Sequence, residues 1–111
     1  MRTETLNTIQ EVAENLEWRV HISETDLEFE NWSPAGENII FCFENGKVDW
    51  FLYELADCYE SFDAEEHAAG WYGAKRGEPK SLRDLLEDAD SIDGMLEELV
   101  MALTQALRKE N

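Results

Sequence analysis

The sequence has very little positive charge. Of its 111 residues 9 are lysine or arginine and 26 are aspartate or glutamate, which gives a formal net charge of -17 at pH 7. A small domain stays soluble with a net charge of magnitude about 2 to 8, and a larger charge destabilises the folded state by self-repulsion. So acidic a chain is not expected to bind nucleic acid directly, since that needs a basic surface. A partner attracted by this charge would be a basic protein.

Long apolar segments are also missing. The longest apolar run is Ile39–Phe43, far below the roughly 20 residues that span a membrane. Polar residues such as Thr3, Glu4 and Glu11 interrupt the region where a signal peptide would be continuously apolar. Hydrophobic residues still make up 43% of the chain, enough for a core, and no linker rich in Pro, Gly or Ser divides it. We expect one soluble, cytoplasmic domain over residues 1–111, with no membrane partner.

Signatures of catalysis and of metal binding are absent from the sequence. It contains no GxSxG, GxxxxGK[ST], HExxH or glycine-rich dinucleotide motif. Cys42 and Cys58 lack CxxC spacing, which favours buried thiols, and His67 beside Glu66 lacks the ligand number for zinc. The acidic run 84–93 follows helical spacing, not that of a calcium loop. We predict no enzymatic activity, no cofactor and no dedicated metal site.

In the first half of the chain, the spacing of apolar residues changes from a helical period to a strand period. Apolar residues at helical spacing predict a helix over residues 3–16, and alternation then predicts a hairpin with strands near 18–23 and 27–30. Residues 32–36 form a connection because Pro34 lacks a strand hydrogen-bond donor. A third strand follows over Asn38–Glu44, and its two apolar faces favour a central place in the sheet.

The second half has a helical period. One helix is predicted over residues 48–62, and a capping box from Asp63 to Glu66 begins the next, which should end near 77–79. Residues 81–108 keep helical spacing as one helix or two, and the capping residues Asp90 and Ser91 favour a break there. The predicted fold class is α+β, in the order α-β-β-β-α-α-α, with a three-stranded antiparallel sheet packed against helices.

Many of the carboxylates fall in rows on two of the predicted helices. Residues three or four apart on a helix are neighbours, with Cβ atoms about 5 to 6 Å apart. Such rows cost a few tenths of a kcal/mol for each like-charged pair, and no lysine is interleaved to relieve them. We call the row of the last helical region the α4 row; it consists of Glu87, Asp90, Asp93 and Glu97. The carboxylates of the second helix that avoid its apolar face form the α2 row, which consists of Asp49, Glu54, Asp57 and Glu60.

These rows have two interpretations, a binding function and ordinary acidity that only keeps the protein soluble. A rigid row of carboxylates can occupy a Lys/Arg groove that was built for phosphates, so the chain could imitate nucleic acid and block a basic partner. An acidic surface that only keeps the protein soluble explains the same composition. The basic segment 75–83 could bind an anion, but a solubilising loop that pairs with the acidic helices is favoured.

Two alternatives use other surfaces or partners. An adaptor or homo-oligomeric module could bind through tryptophans, because interface hot spots favour Trp. Trp32, at a Ser-Pro turn, is the tryptophan expected to be exposed, whereas Trp71 shares a helical face with Ala68 and is expected in the core. An immunity protein or antitoxin that neutralises a basic toxin would carry the same acidic rows as a nucleic-acid mimic.

Several short motifs resemble those of a known group of proteins. They are Asn31-Trp32-Ser33-Pro34-Ala35-Gly36-Glu37, Phe62-Asp63-Ala64-Glu65-Glu66-His67-Ala68, Ser81-Leu82-Arg83-Asp84-Leu85-Leu86 and Met95-Leu96-Glu97-Glu98-Leu99. Together they resemble a family of small acidic bacterial proteins of unassigned function that are associated with mobile elements, over about residues 25–107. The resemblance implies no activity, cofactor or site. By analogy, a link to mobile elements raises the expectation of an anti-restriction or anti-CRISPR role.

Overall fold

The computed structural model describes residues 1–72 and 81–109 of the chain. The elements are α1 (Thr3–Asn15), β1 (Arg19–Ile22), β2 (Asp26–Trp32), β3 (Asn38–Glu44), α2 (Val48–Ser61), α3 (Ala64–Trp71) and α4 (Leu82–Lys109). This order and the antiparallel three-stranded sheet confirm the predicted α+β class. The predicted end of α3 near 77–79 and most of the basic segment 75–83 lie outside the described residues.

Helix α1 turns into β1 through a left-handed residue. Glu17 has φ 71°, and the Trp18 N–H donates to the Ala13 carbonyl at 3.0 Å while the Glu17 N–H donates to Glu14. This is the Schellman arrangement, in which glycine is the usual residue at the left-handed position. The turn places the Trp18 side chain in the core, where it is buried.

The sheet has the order β1-β2-β3, so β2 is central and β3 is an edge strand. The prediction that β3 is central was wrong. Leu27 on β2 and Phe43 on β3 face the helices and are buried, whereas Ile40 and Cys42 on the other face of β3 are exposed. The apolar residues on the outer face of β3 are therefore not covered by a second layer of the described residues. The expectation of a buried thiol was wrong for Cys42, which is exposed.

One core joins the inner face of the sheet to α1, α2 and α4. Phe29, Phe43 and Phe51 form its aromatic centre, with ring centroids 5.6 to 5.9 Å apart. Helix α3 packs on the N-terminal half of α4 through a smaller cluster that includes Ala68 and Leu85. These contacts hold α2 and α4 side by side, which fixes the positions of their outer faces.

Helix α4 runs unbroken over 28 residues, so the predicted break near Asp90 was wrong. The Ser91 hydroxyl donates to the Glu87 carbonyl at 3.2 Å, within the helix, instead of capping a new one. Buried Ala89, Ile92 and Leu96 continue one apolar stripe through this point. A break would take that stripe out of register with α1 and α2, so tertiary packing overrides the local capping preference.

Candidate functional site

The α4 row lies along the surface of the long helix. Glu87, Asp90 and Glu97 are exposed and Asp93 is half-buried. In the α2 row Asp49, Asp57 and Glu60 are exposed, and Glu54 is half-buried. Every predicted carboxylate of the two rows is thus open to solvent at least in part.

The two rows meet at Tyr59. This tyrosine of α2 donates a hydrogen bond from its hydroxyl to Glu97 Oε2 of α4 at 2.8 Å. The pKa of Tyr59 is raised, first by this hydrogen bond, then by desolvation, and then by repulsion from Glu97, Asp93 and Glu60. Asp93 and Glu97 of the α4 row and Glu60 of the α2 row thus all act on the Tyr59 hydroxyl, which is the point at which the two rows come together.

Among the described residues, no lysine or arginine forms an ion pair with the carboxylates of the two rows. Within residues 1–72 and 81–108 the one ion pair joins His67 to Glu37, and neither residue belongs to a row. An ordinary solvated helix carries lysine three or four residues from glutamate, where each pair stabilises it slightly. Carboxylates that lie three or four residues apart in the rows instead repel one another.

An exposed aromatic pair lies within the α2 row. The rings of Trp50 and Tyr53 stack with centroids 5.3 Å apart and an interplanar angle of 19°, although the residues are 50% and 61% exposed. Sequence analysis missed both residues because it followed the apolar face that contains Phe51 and Leu55. Their positions off that face were the signal that could have found them, since a large aromatic there has no core to enter.

Trp32, the predicted anchor, is exposed but lies away from the rows. It ends β2 on the outer face of the sheet, and the guanidinium carbon of Arg19 lies 5.2 Å from the centroid of its ring. Its aromatic face is thus already in contact with a cation of the same chain. Trp71 is partly buried and packs against the small cluster of α3 and α4, as expected.

A second polar region lies between α3 and the β2–β3 connection. His67 Nε2 lies 2.7 and 2.8 Å from the two carboxylate oxygens of Glu37, at the edge of an open groove of about 630 Å³ that Cys58 also lines. Burial, and then the charge of Asp57, raise the pKa of the Cys58 thiol, which opposes formation of a nucleophilic thiolate. The described part of the chain contains no group of three or more side chains placed to hold a metal ion.

Nearby, the β2–β3 connection is fixed by a buried carboxylate. Asp88 of α4 is 5% exposed, and its Oδ1 accepts the Ala35 backbone N–H at 2.8 Å. The Ser33 hydroxyl accepts the Glu37 N–H at 3.0 Å and closes the turn, in which Gly36 has φ 92°. This acidic residue of α4 therefore has a structural contact, unlike most members of the α4 row.

Comparison of the chain with protein-family models, curated proteins and solved structures gives no match. Among the described residues no helix combines the length and the apolar character needed to cross a membrane. The surface formed by the α2 and α4 rows with the Trp50–Tyr53 pair is the candidate site.

Proposed function

We propose that this chain is a non-catalytic binding protein that imitates nucleic acid and thereby blocks a basic, nucleic-acid-binding partner in the cytoplasm. The observation that carries the proposal is the junction of two rows of carboxylates at Tyr59, without a lysine or arginine in ion-pair contact with them in the described residues. The resemblance to proteins of mobile elements favours a partner of the restriction or CRISPR class.

The charge density of the α4 row suits this role. Its four carboxylates extend over about 15 Å of helix axis, at 1.5 Å per residue, or one charge per about 5 Å. A strand of duplex DNA carries one phosphate per about 3.4 Å of axis. A groove with the Lys/Arg spacing for phosphates would thus meet a comparable charge on a rigid rod, and long-range attraction would speed association.

The adaptor alternative has less support. It requires Trp32 and Trp71 as exposed anchors, but Trp71 is partly buried and Trp32 is in contact with Arg19. An immunity protein against a basic toxin would use the same acidic surface, so competition by DNA has to separate it from a mimic.

The test is capture of partners from a bacterial lysate at low and high salt, with duplex DNA as competitor. Mimicry predicts capture of a nucleic-acid-binding protein that both salt and DNA release. Capture that is insensitive to salt would contradict the proposal, and capture of a toxin that DNA does not release would favour the immunity role.

A pair of triple variants locates the interface. Glu87→Lys, Asp90→Lys and Asp93→Lys together should abolish capture. The matched control is Glu4→Lys, Glu11→Lys and Glu14→Lys, which makes the same change of charge at exposed positions of α1. If both triple variants lose capture equally, net charge and not the α4 row determines binding.

A further inference from the structure

The Trp50–Tyr53 pair is costly to leave in water. Trp50 and Tyr53 are three residues apart on α2, and both are at least half exposed while stacked on each other. Tryptophan and tyrosine dominate the binding energy of protein interfaces because they present a large, rigid, amphipathic surface. Each ring covers one face of the other, so the stack is a preformed platform whose outer ring faces are open beside the α2 row.

The charges around this platform select the chemistry of its occupant. Helical spacing places Glu54 four residues after Trp50, and Asp49 and Asp57 four residues on either side of Tyr53. A hydrophobic partner side chain would have to desolvate these carboxylates without compensating them. A second copy of this chain, which also carries a formal charge of -17, would be repelled.

A guanidinium group fits both the exposed aromatic rings and the carboxylates beside them. It is planar and weakly hydrated, stacks on aromatic faces, and donates forked hydrogen bonds to carboxylates, whereas a lysine ammonium is a compact, strongly hydrated charge. Among the described residues this contact occurs once, in Arg19 over Trp32. Within the described residues no cation lies over Trp50 or Tyr53, so no cationic side chain of these residues competes for that platform.

We propose that the stacked Trp50–Tyr53 pair, flanked by Asp49, Glu54 and Asp57, is a binding site for an arginine side chain of the basic partner. This inference rests on the proposed function, because it names the side chain by which the partner is recognised. The partner then presents an arginine on its surface. The site prefers arginine to lysine, a preference that charge alone would not give.

The test compares two probes on the full chain. Fluorescently labelled nona-arginine and nona-lysine peptides are titrated at low salt with the wild-type protein, and the dissociation constants are compared. A cation–π contact at a partly desolvated site predicts about five- to tenfold tighter binding of the arginine peptide. Trp50→Leu with Tyr53→Leu should remove this preference and leave the lysine peptide nearly unaffected.

A matched control and the possible outcomes separate this inference from the proposed function. Trp32→Leu also removes an exposed tryptophan and should leave the preference intact. Equal affinity for the two peptides, or a preference that survives the double variant, overturns the arginine site but not the acidic binding surface. If neither peptide binds at low salt, the proposed function fails as well. If the double variant does not fold, Tyr53→Leu alone and the wild-type ratio of the two affinities decide.

Discussion

The carboxylates near the β2–β3 connection and those of the α2 and α4 rows have opposite surroundings. Near the connection, Asp88 accepts the Ala35 N–H from a buried position and Glu37 contacts His67. In the rows, the described carboxylates form no ion pair, and Glu97 accepts a hydrogen bond from the Tyr59 hydroxyl. A buried, partnered acceptor stabilises the fold, whereas a row of like charges weakens it. The first set therefore serves folding, and the second is retained at a cost that binding would explain.

The largest predicted effect concerns Asp88, the buried carboxylate near the β2–β3 connection. Asp88→Ala should lower the free energy of unfolding by about 1 to 3 kcal/mol, because the partly buried Ala35 N–H loses its acceptor. Asp88→Asn keeps an acceptor oxygen and should cost less than about 1 kcal/mol. Urea unfolding followed by circular dichroism measures both. If Asp88→Ala were as stable as the wild type, the contact with Ala35 would not secure the connection.

Glu37 should show a smaller effect. Glu37→Ala removes the contact with His67 that joins α3 to the connection, and should cost about 1 kcal/mol in the same urea experiment. The matched control is Asp57→Ala in the α2 row, which should stay within about 0.5 kcal/mol of the wild type because Asp57 is exposed. Equal losses for the two variants would remove the distinction between the two sets of carboxylates.

A pair of charge reversals tests whether repulsion is local to the rows. Asp90→Lys converts two repulsive contacts, with Glu87 and Asp93, into attractive ones and should stabilise the fold by about 1 kcal/mol. Glu30→Lys makes the same change in net charge but places a lysine directly opposite Arg19 across the sheet, and should destabilise it by about 0.5 to 1 kcal/mol. Thermal melts at low salt measure both shifts. If both variants were stabilised equally, total charge and not the rows would set the repulsion.

Local patterns were sufficient to predict the elements of this fold but not all of their arrangement. The Asp63 cap of α3 was predicted from sequence and confirmed, since its carboxylate accepts the Glu66 N–H at 3.1 Å. At Asp90 and Ser91 the same kind of signal was wrong, because the apolar stripe of α4 packs continuously on its neighbours. The predicted central position of β3 was also wrong, since alternation along a strand does not specify which strands pair with it.

The candidate site was only partly predictable for a similar reason. Spacing along one helix gave each row, but the junction at Tyr59 depends on how α2 packs against α4, a contact between residues 38 apart in sequence. The contact of Glu37 with His67 is likewise a product of the tertiary fold. Trp50 and Tyr53 were visible off the apolar face of α2, and only the exposure of the folded helix marked them as a platform.

The smallest predicted effect concerns Tyr59, where the two rows meet. Because its pKa in the folded protein is raised, the phenol stays protonated over a range in which the unfolded chain, with an ordinary tyrosine pKa of about 10, ionises. In that range the unfolded state binds fewer protons, so the stability from Tyr59 is fully present below about pH 10 and is lost as pH rises through the folded pKa. Tyr59→Phe should therefore reduce the alkaline fall in stability, and it should remove the latest step of a tyrosinate absorbance titration. Tyr53→Phe should leave that step in place.

High salt should move the step to lower pH, because screening weakens the repulsion from Asp93 and Glu60. If the step did not respond to salt, the hydrogen bond with Glu97 alone would hold the proton, and the rows would not share one field at Tyr59.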